Sequence, residues 1–261
     1  MKYFKIRSNN KLKMALVVIF TILINYISIS AYTIVNNYDK ALLQSPWTEN
    51  ILLNTGTASF IYATYVFIIS GLMYADALVV DKKTGLANTI FTKMSWRKYI
   101  GKTILFNFLI AGTFAIIPFL INILAFFCLR GNVPLTYFNT MNMFNDELFA
   151  LVFYKSKTLF FLLHIIKIFL VAGIIATFAL AINTRFNNRF IGLCIPLIFD
   201  TILQVIMVIF NNPKLAISVS NLLTFPSKPD YLTFFTLIAF IVISIIYIIR
   251  IIRKKDMLWI F

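Results

Sequence analysis

Apolar residues along this chain come in long unbroken runs. Six of them lie at about 14–35, 57–75, 104–129, 158–183, 191–210 and 231–249 and are predominantly apolar. A helix needs roughly 20 apolar residues to cross a hydrocarbon layer about 30 Å thick, and each run has that length. The connections are short, so the pattern predicts one all-α transmembrane domain over residues 1–261, with no nucleotide-binding domain of its own. Pro118 falls inside the third run, where a kink is expected whose freed carbonyl neighbouring helices satisfy. Three segments are half-apolar. Residues 1–13 mix Tyr3, Phe4 and Ile6 with basic residues, as an interfacial segment does. Residues 137–154 are too short and too polar at their centre to span, and are expected to lie at the interface or re-enter before the fourth span. "KLAISVSNLLTF", set among Pro213, Pro226 and Pro229, has the same character before the sixth. Pro46-Trp47 in the first long connection would rest its indole at headgroup level.

Composition agrees with a lipid solvent: 61% of the residues are hydrophobic and 13% charged. The net charge of +15 matters through its placement. One set of alternate connections carries Lys2, Lys5, Arg7, Lys11 and Lys13, then Lys82, Lys83, Lys93, Arg97, Lys98 and Lys102, then Arg185 and Arg189, then Arg250, Arg253, Lys254 and Lys255. The other set has Lys40, Arg130, Lys155, Lys157, Lys214 and Lys228 over longer stretches. The positive-inside rule then puts both termini in the cytoplasm, which suits an even number of spans. The basic excess reads as a topology signal with attraction to anionic membrane lipid, and no nucleic-acid partner is expected. The apolar stretch Met14 to Ala31 exceeds the h-region of a cleaved signal, so it is read as a first span. Cys128 and Cys194 lie at different depths, against a disulfide, and one histidine leaves no metal-ligand spacing.

Between the second and third runs lies "DKKTGLANTIFTKMSWRKYIGK", from Asp81 to Lys102. Turned at 100° per residue, Thr84 to Met94 puts Leu86, Ala87, Ile90, Phe91 and Met94 within an arc of about 140°. That predicts an amphipathic helix too short to stand alone, with Asp81 and Thr84 placed to serve the free N–H groups at its start. Gly101-Lys102-Thr103 imitates the end of a phosphate loop, but Trp96 occupies the first glycine position, so no nucleotide site is expected.

Six spans with both ends inside, an interfacial N-terminal segment and an amphipathic cytoplasmic helix between spans two and three resemble the permease subunit of a bacterial type-2 ABC exporter. In that family the loop reads acidic residue, Gly-Thr or similar, apolar helix, basic residue, aromatic, then Gly-Lys. Asp81, Gly85, Ile90, Arg97, Tyr99, Gly101 and Lys102 match it. In size and composition the chain is most similar to the small permeases of peptide-toxin and lantibiotic-immunity exporters, although its N-terminal segment is shorter and lacks an acidic residue. The resemblance implies a multi-pass protein of the bacterial cytoplasmic membrane, paired with a second permease copy or paralogue. It implies a coupling helix, with Asp81, Thr84, Gly85, Leu86, Ile90, Phe91, Met94 and Arg97, docking a separate cytoplasmic ABC ATPase that binds ATP and Mg. This chain would then hold no cofactor and catalyse nothing. An amphipathic peptide, exported or expelled in self-protection, leads as cargo; a drug or lipid permease differs only in cargo, and an ATP-independent channel or immunity protein is the further alternative.

Ionisable groups inside a span are costly and are functional candidates by default. They are His164 and Lys167, which share a face of the fourth span, and Asp200 in the fifth, joined by the polar Gln204 and Asn25. Lys167 and Asp200 lie at similar depth. Three readings stand: a structural ion pair, Lys167 reaching outward while Asp200 faces an aqueous path, or a direct role with substrate or protons. One His and no Glu within a span argue strongly against an intramembrane enzyme.

Overall fold

The computed structural model describes residues 11–35, 45–47, 50–51, 57–131, 150–210, 217–223 and 231–253. Among them every regular element is helical: α1 Lys11–Val35, α2 Thr57–Leu72, α3 Ala77–Lys83, α4 Leu86–Phe91, α5 Trp96–Arg130, α6 Ala150–Lys155, α7 Lys157–Phe186, α8 Ile191–Ile209, α9 Ser220–Leu223 and α10 Tyr231–Arg253. Five helical stretches are long and apolar enough to cross a membrane: Lys11–Ser30, Thr57–Lys83, Trp96–Leu129, Lys157–Phe186 and Phe234–Arg253. The sixth expected span is a helix, but its apolar part, Ile191–Ile206, is shorter. The chain is an all-helical, multi-pass membrane protein. The interfacial segment at residues 1–10, most of 137–154 and the prolines flanking 217–223 lie outside the described residues.

α7 stands at the centre, in contact with α2, α5, α8 and α10, while α1 packs on α2 and α5. α1 and α10 turn much of their apolar surface outward, through Val18, Ile22 and Tyr26 and through Phe235, Ile238 and Ile245. Such a surface exceeds what water tolerates, and acyl chains are its natural cover. Small residues let the inner helices approach closely, because in lipid close packing replaces the hydrophobic drive. α5 and α7 interlock reciprocally: Gly112 leaves room for the ring of Phe169, and Gly173 for the ring of Phe108. Those two rings meet edge-on at 5.7 Å.

Backbone donors and acceptors are satisfied across helices. Pro118 has no N–H for the carbonyl of Phe114, which instead accepts from the Tyr65 hydroxyl at 3.2 Å. The neighbouring Ala115 carbonyl accepts from Tyr62 at 2.8 Å. Asn25 donates to the carbonyls of Thr21 and Pro118 at 2.8 and 3.3 Å. Asn122 accepts from the Ile51 amide and donates to Ser28, tying the segment before α2 to α1 and α5. Asn183 donates to the Ala75 carbonyl at 3.1 Å and accepts from the Gly192 amide at 2.6 Å, so α7 serves both the α2–α3 turn and a free N–H in the first turn of α8.

The helix ends sort into two groups. Lys13 at the start of α1 pairs with Asp76 between α2 and α3 at 3.2 Å. Trp96 at the start of α5 donates to the carbonyl of Ile251 near the end of α10. With Asn183 these contacts gather one end of every long helix, and the described cations of the predicted inner connections gather there with them. At the opposite end Trp47 packs against Phe127 and Phe161, with the Lys157 ammonium 5.5 Å from its ring centre. Its indole is thus wedged into the bundle. Cys128 and Cys194 are free and exposed.

Candidate functional site

At the cationic end α3, α4 and the first turns of α5 form a bracket. The helix expected over 84–94 forms but is shorter, Leu86–Phe91. Gly85 takes φ +70°, a left-handed conformation that glycine adopts at little cost, and it ends α3 and begins the six-residue α4. The expected caps fail for the same reason: α4 has no side-chain cap, and Thr84 donates its hydroxyl back to Val80 at 2.8 Å. Asp81 belongs to α3, is buried, and accepts a hydrogen bond from the Tyr99 hydroxyl. A turn in which Lys93 and Met94 both donate to the Ile90 carbonyl leads to Ser95, and α5 starts at Trp96. Gly101, Lys102 and Thr103 are therefore helical, and Thr103 donates to the Tyr99 carbonyl. Nothing there wraps a phosphate.

The amphipathic face also has a different use from the one expected. Ala87 is buried, and Ile90 and Met94 pack on a cluster containing Leu78, Trp96, Tyr99 and Ile100. Of the docking set, Leu86 points outward at 43% exposure, and Thr84, Gly85 and Arg97 are exposed too. The Phe91 side chain lies outside what is described. The exposed residues of the bracket include Leu86, Thr89, Thr92, Lys93, Arg97 and Lys98. It is fastened to α5 through Asp81–Tyr99 and to α10 through Trp96–Ile251.

A second polar centre lies within the bundle. Asp200, midway along α8, is buried. Its Oδ1 accepts from the backbone amides of Val219 and Ser220 at 2.6 and 3.3 Å, and its Oδ2 from Gln204 at 3.2 Å. Gln204 also donates to the Ser220 hydroxyl at 2.5 Å, and that hydroxyl lies 3.0 Å from that of Ser218. Ser218, Val219, Ser220, Leu222 and Leu223 are all buried, and α9 touches α2 and α7. Residues 217–223 therefore re-enter the bundle to mid-α8 depth, and a carboxylate holds their amides. Lys167 is not among the partners of Asp200; the carboxylate is spent on the re-entrant backbone, which approaches it more closely.

His164 is buried, with Nδ1 2.9 Å from the Phe160 carbonyl and its ring 4.3 Å from that of Phe160. Lys167 stands one turn further along α7, half-buried. Asn25 serves the backbone carbonyls of Thr21 and Pro118. The candidates thus separate: Asp200 and Gln204 act together, while His164, Lys167 and Asn25 sit elsewhere. The sequence reading missed Ser218, Ser220, Tyr62 and Tyr65; only the paired serines before Leu222-Leu223 hint at a short capped helix. Among the described residues no group of His, Cys, Asp or Glu could hold a metal ion. No family model, curated protein or solved structure matches the chain.

Proposed function

We propose that this chain is the membrane-spanning subunit of an ATP-driven exporter of the type-2 ABC kind, moving an amphipathic substrate, foremost a peptide, outward across a bacterial cytoplasmic membrane. The observation that carries the reading is the bracket at the cationic end. A short helix with an exposed leucine packs Ile90 on a cluster shared by α3 and α5, which are tied together by Tyr99–Asp81, and α5 is tied to α10 by Trp96–Ile251. A partner that pulled on α4 would move α5 and α10 with it, because the bracket has little freedom to yield alone. That is what coupling requires: a docked element whose contacts differ between two states of the bundle. The cationic end is the cytoplasmic one in this reading, six helices span, and a second copy completes the path. ATP and Mg belong to the partner ATPase.

One observation favours a second reading. Ala87, Ile90 and Met94 are used by the bundle itself, so the amphipathic pattern does not by itself demand a partner. An ATP-independent channel or immunity protein would keep the same inward face. Pull-down of the tagged full chain from detergent separates the two. Wild type is compared with Leu86→Asp plus Lys93→Glu, which alters only the outward face. Recovery of an ABC ATPase with wild type, and its loss from the double variant at unchanged thermal stability, is the expected outcome. Absence of an ATPase from both would put the channel-like reading first.

A further inference from the structure

The cationic end also carries an open groove between the ends of α3, α5, α7 and α10. Leu78, Val79, Trp96 and Ile251 supply apolar surface to it, and Lys82, Thr184 and Asn187 supply polar groups. Among the described residues no acid lines it. The Lys82 ammonium and the Asn187 side-chain amide have no partner among the described residues, so both are available to a ligand. Arg185 and Arg253, both exposed, stand on the two helix ends that form its rim. Asp81, next to Lys82 on α3, accepts from the Tyr99 hydroxyl. The groove therefore pairs an anion-seeking rim with apolar surface, at the level where a membrane helix bundle meets headgroups.

We propose that this groove is a binding site for one anionic phospholipid. Lys82 meets the phosphodiester, Asn187 donates to its oxygens, and the glycerol and upper acyl carbons lie on Trp96, Leu78 and Ile251. Basic pockets between membrane helices favour such headgroups, and an aromatic ring at the interface suits the boundary between head and chain. A lipid seated here would bridge α3, α7 and α10 and hold the bracket against the bundle. The site needs no partner protein and stands whether or not the chain exports anything.

The test titrates the purified full chain in detergent with short-chain phosphatidylglycerol, reading thermal stability. Wild type is stabilised by phosphatidylglycerol and left unchanged by phosphatidylcholine or by glycerol phosphate. Lys82→Gln raises the half-saturating concentration about fivefold, the effect of removing one cation near an anionic headgroup. Lys82→Arg stays close to wild type. Asn187→Gly, which keeps the left-handed backbone while removing the amide, also weakens binding and keeps the reading testable should Lys82→Gln fold poorly. Lys98→Gln removes the same charge from the exposed face outside the groove and changes the midpoint less than twofold. Equal shifts in Lys82→Gln and Lys98→Gln would mean diffuse surface attraction and would overturn the site. Equal binding of phosphatidylcholine would overturn the anionic specificity, and equal binding of glycerol phosphate would overturn the lipid.

Discussion

Replacing Asp200 by Ala should free the re-entrant segment. The carboxylate is the acceptor for two buried backbone amides, Val219 at 2.6 Å and Ser220 at 3.3 Å, and orders Gln204 beside them. Without it both amides stay buried in a dry site, and each unsatisfied donor costs about 1–3 kcal/mol. Water is the alternative partner, but only if residues 217–223 leave the bundle. Taking about 3 kcal/mol in all, the withdrawn fraction rises on the order of 100-fold. Asp200→Asn keeps one oxygen for Val219 but sets an amide donor against Gln204, so about a tenfold rise is expected. The assay is maleimide labelling of Ser218→Cys, after Cys128 and Cys194, both exposed, have been changed to Ser. Labelling rates should climb in the order Asp, Asn, Ala, while global unfolding changes less than labelling does. The same rate in all three would refute the anchoring role and return Asp200 to the pathway readings.

Two further outcomes test the packing. Tyr65→Phe should destabilise by about 1–2 kcal/mol, since the Phe114 carbonyl then lacks both its helical N–H and the hydroxyl; in a Pro118→Ala background, where the N–H returns, unfolding in detergent should show most of that cost gone. Gly173→Ala drives a methyl into the Phe108 ring, and a loss of about 1–3 kcal/mol is expected, recovered in part by Phe108→Leu; an unchanged single variant would contradict the α5–α7 interlock.

The helical elements were largely legible in the chain because each depends on its own residues. The runs near 57–75 and 158–183 became α2 with its turn and α7, with bounds close to those expected. The bracket was half legible. Its amphipathic pattern was real, but Gly85, near the start of the expected helix, was read as helical, whereas its left-handed φ makes it the residue before a helix that begins at Leu86. The direction of the apolar face was not legible at all. Ile90 and Met94 meet Trp96, Tyr99 and Leu78, and a pattern of period 3.6 says only that one side is apolar, not what covers it.

The intramembrane polar residues show the same division more sharply. Hydrophobicity over 20 residues is a local quantity, so the sequence alone determined that this chain lives in a membrane as a set of helices with its cations in alternate connections. It also marked Asp200, Gln204 and Asn25 as costly residues that must find partners. Which partners they find depends on the relative rotation and depth of helices far apart in the chain. Asp200 could be matched to Lys167 on depth along ideal helices, yet the structure gives it the amides of Val219 and Ser220, since a re-entrant backbone offers closer donors. Asn183, Tyr62 and Tyr65 took their roles likewise from unsatisfied backbone groups on neighbouring helices. A lipid interior has no water to satisfy such groups, so the fold had to assign them, and only the assembled bundle could decide how.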